Sequence, residues 1–128
     1  MVVDTSALMA ILLDEPEAER FGRVVAEAPR AVLSSANYVE FGMLAYTRRN
    51  LSVARIDLTL DRWGVTIVPV SPAQARLAVE AFARYGKGNH PARLNYGDCF
   101  AYALAKERGE PLLFKGEDFA RTDIAAAL

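Results

Sequence analysis

Cys99 and His90 are the only cysteine and the only histidine among the 128 residues. A lone cysteine excludes an intramolecular disulfide and fits a reducing cytosol. The pair leaves too few soft ligands for a zinc set, and no Ser-His-Asp arrangement is available beyond that one histidine. No apolar run reaches the ~18 residues of a membrane span, and no charged-then-apolar leader opens the chain, so the expectation is a soluble, cytoplasmic protein. An excess of one charge is also lacking: 15 basic side chains stand against 16 acidic ones, for a net charge of -1. Nucleic acid is therefore not attracted by the chain as a whole, and any such contact needs a local basic patch. Internal repeats, low-complexity stretches, linkers and the phosphate-cradling Gly-x-x-x-x-Gly-Lys-Ser/Thr loop are absent as well.

What is present is an ordinary globular composition, 52% apolar. The length suits one domain, residues 1–128, able to bury roughly two-thirds of the surface of its unfolded form. Val2-Val3 reads as a short strand, and Ala7 to Leu13 as a compact apolar helix. Asp14-Glu15-Pro16-Glu17 restarts a helix that runs to about Ala28, ahead of Pro29. Ala31-Val32-Leu33 is a second strand, followed by Ser34-Ser35 and a helix through Arg49, with Asn50 at its C-terminal turn. Ser52 caps the next helix, on which Val53, Ile56, Leu60 and Trp63 form one stripe, and Gly64 ends it. Val65 to Val68 is a third strand. Ser71-Pro72-Ala73-Gln74 is a strong helix start, with the helix running to Tyr85. After the irregular Gly86–Pro91 loop, Asn95 opens a helix with Tyr96, Cys99, Phe100, Ala103 and Leu104 on one side, ending at Gly109. Pro111 to Phe114 is a fourth strand, and Thr122-Asp123-Ile124 a short fifth strand or last turn. Strands alternate with helices throughout. The class is α/β, a central, mostly parallel sheet of four to five strands with helices on both faces.

In such sheets ligands bind at the carboxyl edge of the strands. Asp4 sits at the exit of the first strand, and Glu40 lies early in the helix after the second. The helix opened by Asn95 leads into the fourth strand, so its first turn, with Asp98, starts at that same edge. Asp118 lies just beyond the fourth strand. Each acid also has an ordinary structural explanation. Asp4-Thr5-Ser6 is a good N-cap cluster, Asn37-x-x-Glu40 and Asn95-x-x-Asp98 are spaced as capping boxes, and Asp118 could close a polar turn beside Gly116. Together, however, clustered carboxylates repel one another and raise each other's pKa unless a cation compensates. All-oxygen ligands favour Mg²⁺ or Mn²⁺. A site of that kind supports phosphodiester hydrolysis by metal-bound water, often with two metals about 4 Å apart.

The same residues form a recognisable series. Val3-Asp4-Thr5-Ser6-Ala7-Leu8, Tyr38-Val39-Glu40, Leu94-Asn95-Tyr96-Gly97-Asp98-Cys99 and Leu113-Phe114-Lys115-Gly116-Glu117-Asp118-Phe119, with Thr122-Asp123-Ile124, resemble the successive motifs of PIN-domain ribonucleases, specifically the VapC-type toxins of bacterial toxin–antitoxin pairs. The resemblance spans nearly the whole chain in order. It implies a five-stranded parallel sheet, Mg²⁺- or Mn²⁺-dependent endoribonuclease activity, and a homodimer neutralised by a small antitoxin. Carried onto this sequence, Asp4 and Asp98 would be direct metal ligands. Glu40 would complete the site directly or through water, and Asp118 would hold a second metal or order the first. Thr5, Ser6 and Asn95 would supply supporting hydrogen bonds. Asp123 follows the pattern too, with a cap or turn role favoured for it, and Glu117 is an additional acid where relatives often carry Asn or Asp.

Substrate contacts are open at this level. Arg48, Arg49, Lys87, His90 and Arg93 would offer positive charge to phosphates if they face the crevice, and would otherwise be solvated. Tyr38, Tyr96 and Tyr102 could stack on unpaired bases or serve as core or dimer-interface aromatics. Other readings are a catalytically silent PIN-like binding module, a metal-dependent DNase or phosphatase, and a phospho-receiver signalling domain. The receiver reading needs a phosphorylatable Asp at the end of an apolar middle strand, and the third strand ends Val68-Pro69-Val70 without an acid.

Overall fold

β-Branched and leucine-rich runs make the sheet. In the computed structural model, which describes residues 1–128, strands β1 (Val2–Val3), β2 (Ala31–Ser34), β3 (Val65–Val68) and β4 (Leu112–Leu113) pair in parallel in the order β3-β2-β1-β4. The central strands β1 and β2 are buried along their whole length, as expected where helices cover both faces of a parallel sheet. Neighbouring strand residues point to opposite faces. Val2, Val32 and Leu112 enter one core cluster, and Val3, Leu33 and Leu113 the other.

Helices α1 (Thr5–Leu12), α2 (Ala18–Glu27), α3 (Ser35–Arg49) and α4 (Val53–Trp63) supply the second cluster through Leu8, Phe21, Phe41, Ile56 and Leu60. Helices α5 (Pro72–Tyr85) and α6 (Tyr96–Arg108) cover the first, with Ala78, Tyr85, Tyr102 and Leu104. The expected α/β class with helices on both faces is therefore the observed one.

Local chemistry sets the boundaries. The Ser71 hydroxyl accepts the Gln74 N–H at 3.0 Å with Pro72 in the first turn, and α6 ends at Gly109 in the left-handed region, φ 61°. Several expectations need correcting. Asn37 and Glu40 form no capping box, because Ser34 caps α3 by accepting the Ala36 N–H, and Asn37 falls inside the helix. The apolar stripe on α4 is incomplete: Ile56 and Leu60 are buried while Val53 is exposed. Tyr96 projects outward from α6, 79% exposed.

Thr122–Ile124 is not a strand. The Thr122 hydroxyl donates to the Phe119 carbonyl at 2.7 Å and accepts the Ile124 N–H, while Asp123 accepts from Tyr102 Oη at 2.7 Å and Lys106 Nζ at 2.8 Å. Those bonds turn the chain, which reaches β4 only afterwards. There Leu112 N–H donates to Ala125 O and Ala127 N–H to Leu112 O, each at 2.9 Å. The five-stranded sheet implied by resemblance is thus four strands and one bridge, Leu112 to Ala126.

Candidate metal centre

The carboxyl edge of β1 and β4 opens into a crevice of about 260 Å³. Asp4, Glu40, Asp98 and Asp118 all line it, together with Thr5, Ser6 and Asn95. All seven site residues expected from the sequence are therefore brought together.

Asp4 follows directly on β1 and caps α1. Its Oδ2 accepts the Ser6 N–H at 2.9 Å and the Ser6 hydroxyl at 2.5 Å. Its other oxygen, Oδ1, is buried and has no partner. Capping occupies one side of the carboxylate and leaves the other unused, so both explanations of Asp4 hold at once. Burial raises its pKa, the Ser6 hydrogen bonds oppose that, and Glu40 adds to the rise.

Glu40 sits one turn into α3. Thr5 Oγ1, at the start of α1, donates to Glu40 Oε2 at 2.6 Å, so the first two helices of the crevice are tied together at this carboxylate. Asn37 Nδ2 reaches the same oxygen at 3.4 Å and donates to the Gly97 carbonyl at 3.0 Å. Asn37 is fully buried, its Oδ1 unpartnered, and it braces α3 against α6. Sequence spacing marked Asn37 only as a helix cap, because a contact across sixty residues leaves no local signal.

Asp98 completes a true capping box with Asn95: Asp98 Oδ2 accepts the Asn95 N–H at 2.8 Å, and Asn95 Oδ1 accepts the Asp98 N–H at 2.9 Å. Its pKa is pushed up to about 7, chiefly by burial. The Asn95 hydrogen bond opposes this, while the charges of Asp4, Asp118 and Glu40 each add to it. One side chain thus senses all three of the other acids. Asp118, exposed, precedes a 3-10 turn (Phe119–Arg121), and its side chain makes no capping bond there.

The basic side chains proposed from sequence lie elsewhere: Arg48, Arg49, Lys87, His90 and Arg93 do not line the crevice. His90 instead accepts the Ala92 N–H at 3.0 Å and packs edge-on against Tyr85. Tyr102 is buried against Asp123 and Tyr38 donates to Asp57, whereas Tyr96 packs edge-on against Phe100 and is the most exposed ring of the three. Asp123 belongs to an ion-pair cluster with Lys106 and Arg84, and Glu117 is exposed outside the crevice. The cation that does line it is Lys115, which sequence reading passed over because it is one basic residue in a turn.

No three of these acids are gathered into a ready-made cage. Like charges without a counterion favour that separation. The donor chemistry nonetheless fits a hard divalent cation: every candidate ligand is a carboxylate oxygen, Asp4 Oδ1 is an orphaned acceptor, and burial plus mutual repulsion resist full ionisation until positive charge is supplied.

Known proteins resemble the chain in sequence and in fold. The PIN domain family matches residues 1–125. Ribonuclease VapC of Mycolicibacterium smegmatis is 53% identical over 127 residues, covering 98% of each chain. Ribonuclease VapC30 of Mycobacterium tuberculosis is 52% identical over 126 residues, 98% of this chain and 96% of its own. In structure, the M. tuberculosis toxin VapC20, described as cleaving the sarcin–ricin loop, superposes with a TM-score of 0.74 at 19% identity over 97% of this chain and 95% of its own. A toxin–antitoxin complex from Klebsiella pneumoniae gives 0.70 at 19% identity over 95% and 92%. The two structures share the fold, and the sequence relatives settle the family: this chain belongs to the PIN-domain proteins, among relatives named ribonuclease VapC.

Proposed function

We propose that the chain is a Mg²⁺- or Mn²⁺-dependent endoribonuclease, the toxin of a toxin–antitoxin pair. The observation that carries this reading is Asp98: a partly buried carboxylate within electrostatic reach of Asp4, Glu40 and Asp118 at the mouth of a parallel sheet. Asp4 and Asp98 would hold the cation directly, with Glu40 completing the set and Asp118 holding or ordering a second ion. A bound divalent cation supplies charge neutralisation, a more acidic water and stabilisation of the leaving oxygen. The protein's own part is positional. Ser6 and Asn95 each restrain one oxygen of their aspartate, and Thr5 and Asn37 restrain Glu40. RNA as substrate rests on the names of the full-length relatives.

A protein partner is part of the same reading. Between α3 and α4 an apolar groove of about 500 Å³ is lined by Tyr38, Val39, Met43, Tyr46 and Val53, and a second lies between α5 and α6 around Val79, Phe82 and Tyr96. Apolar surface of this extent supports association with an antitoxin and with a second copy of the chain in the cytoplasm.

The test is cleavage of single-stranded RNA by purified protein with Mg²⁺ or Mn²⁺, repeated with chelator and with Asp98→Asn. Cleavage only by the wild type with metal is expected. Equal cleavage under chelation, or by the variant, refutes the proposal. Sedimentation of the free chain checks the dimer.

A further inference from the structure

Resting on the ribonuclease reading, we infer that Lys115 is the residue that receives the substrate phosphate in this crevice, and that Glu15 and Glu17 hold it ready at the rim. The crevice poses an electrostatic problem: it carries four carboxylates, and its intended occupant is a polyanion. Lys115 is the single basic side chain in its lining. It sits just past β4, and its backbone N–H donates at 3.0 Å to Ser6 Oγ, the same hydroxyl that donates to Asp4. The base of the lysine is thereby fixed to the residues around Asp4.

Its ammonium group is fixed less firmly. Nζ lies 2.6 Å from Glu15 Oε2 and 3.1 Å from Glu17 Oε2, neither of which lines the crevice, and the side chain is 36% exposed. The Glu15 hydrogen bond and the Glu17 ion pair keep the amine protonated, raising its pKa. Exposed ion pairs of this kind are weak, whereas a contact to phosphate on a four-carbon stem is charge-assisted. The lysine can therefore exchange its glutamates for a phosphodiester without leaving its anchor on Ser6.

The competing role is a purely structural tie between the β4 turn and the α1–α2 loop, and the two roles predict opposite outcomes for the partner acids. The experiment measures binding and cleavage of a single-stranded oligoribonucleotide by wild type, Lys115→Gln, Lys115→Arg and the double variant Glu15→Gln/Glu17→Gln. Binding is measured with chelator present. A phosphate contact predicts about tenfold weaker binding for Lys115→Gln, a salt dependence shallower by about 0.7 in log–log slope, and recovery in Lys115→Arg. It also predicts that the double glutamine variant, with its lysine released, binds as well as wild type or better. If the double variant loses binding to the same extent as Lys115→Gln, or if Lys115→Gln binds and cleaves like wild type, Lys115 does not serve the phosphate. Failure of the wild type itself to cleave RNA with any divalent metal overturns the ribonuclease reading first, and this inference with it.

Discussion

Gly97 and Glu40 are in contact so close that any side chain on the glycine would displace the carboxylate: a Cβ there would lie 2.5 Å from Glu40 Oε1 and 2.6 Å from Oε2. The obstacle is the tip of a flexible side chain, so the helix can accept alanine if the carboxylate moves. That carboxylate is held by Thr5 at 2.6 Å, and moving it unseats a candidate metal ligand. Gly97→Ala is expected to keep its melting temperature within about 3 °C while cleaving RNA roughly a hundredfold more slowly, the scale of loss from a ~1 Å misplacement of a reacting group. Thermal unfolding and a cleavage assay on one preparation separate the two effects.

Asp98 gives a pH prediction. An acid whose folded pKa is raised from 3.8 to about 7 is destabilising once ionised. The penalty is absent below about pH 4, grows as pH rises through the raised value, and is constant above it. Asp98→Asn keeps an oxygen for the Asn95 cap and removes the charge. In chelator it is expected to melt about 3–6 °C higher than wild type at pH 8 and level with it at pH 4, while losing cleavage. Added Mg²⁺ stabilises the wild type more than the variant, which a titration of melting temperature reads directly.

Asn37→Ala removes the side-chain donor to the Gly97 carbonyl and releases one restraint on Glu40. Loss of a buried hydrogen bond of this kind costs about 1–3 kcal/mol. Urea unfolding should show a lower midpoint at unchanged slope, with activity falling further than stability alone explains.

At the other end of α6, Asp123 has its pKa lowered to about 2 by the Lys106 hydrogen bond first and the Tyr102 hydroxyl second. A depressed acid contributes stability above its ordinary pKa, and that contribution disappears as pH falls toward about 2. Asp123→Asn is expected to melt about 2–5 °C below wild type at pH 7, the modest effect of a solvent-screened pair, with the gap closing on acidification. A gap that persists at pH 2 would assign the loss to packing instead.

Much of this architecture could be read from local chemistry. Ser52, Ser71 and Asn95 announce helix starts, and Gly64 and Gly109 helix ends, because capping bonds and left-handed turns involve residues within a few positions of each other. The alternation of apolar strands with helices implied a parallel sheet, and the direction of each element then brought Asp4, Glu40, Asp98 and Asp118 to one edge. What local spacing could not reveal is Asn37 turned inward to Gly97, Lys115 as the cation of the crevice, and the last strand shrunk to a bridge at Ala126.

On its own, then, the order of amino acids decided which segments are strands and helices and which acids share an edge, since periodicity, caps and chain direction are short-range properties. Ser6 and Asn95 restrain Asp4 and Asp98 through bonds of two or three residues' span. Tertiary packing alone decided that Glu40 is held by Thr5 and that Asp4 Oδ1 is left buried and free. That outcome depends on contacts such as Thr5 with Glu40 and Asn37 with Gly97, between groups that only the folded chain brings within hydrogen-bonding distance.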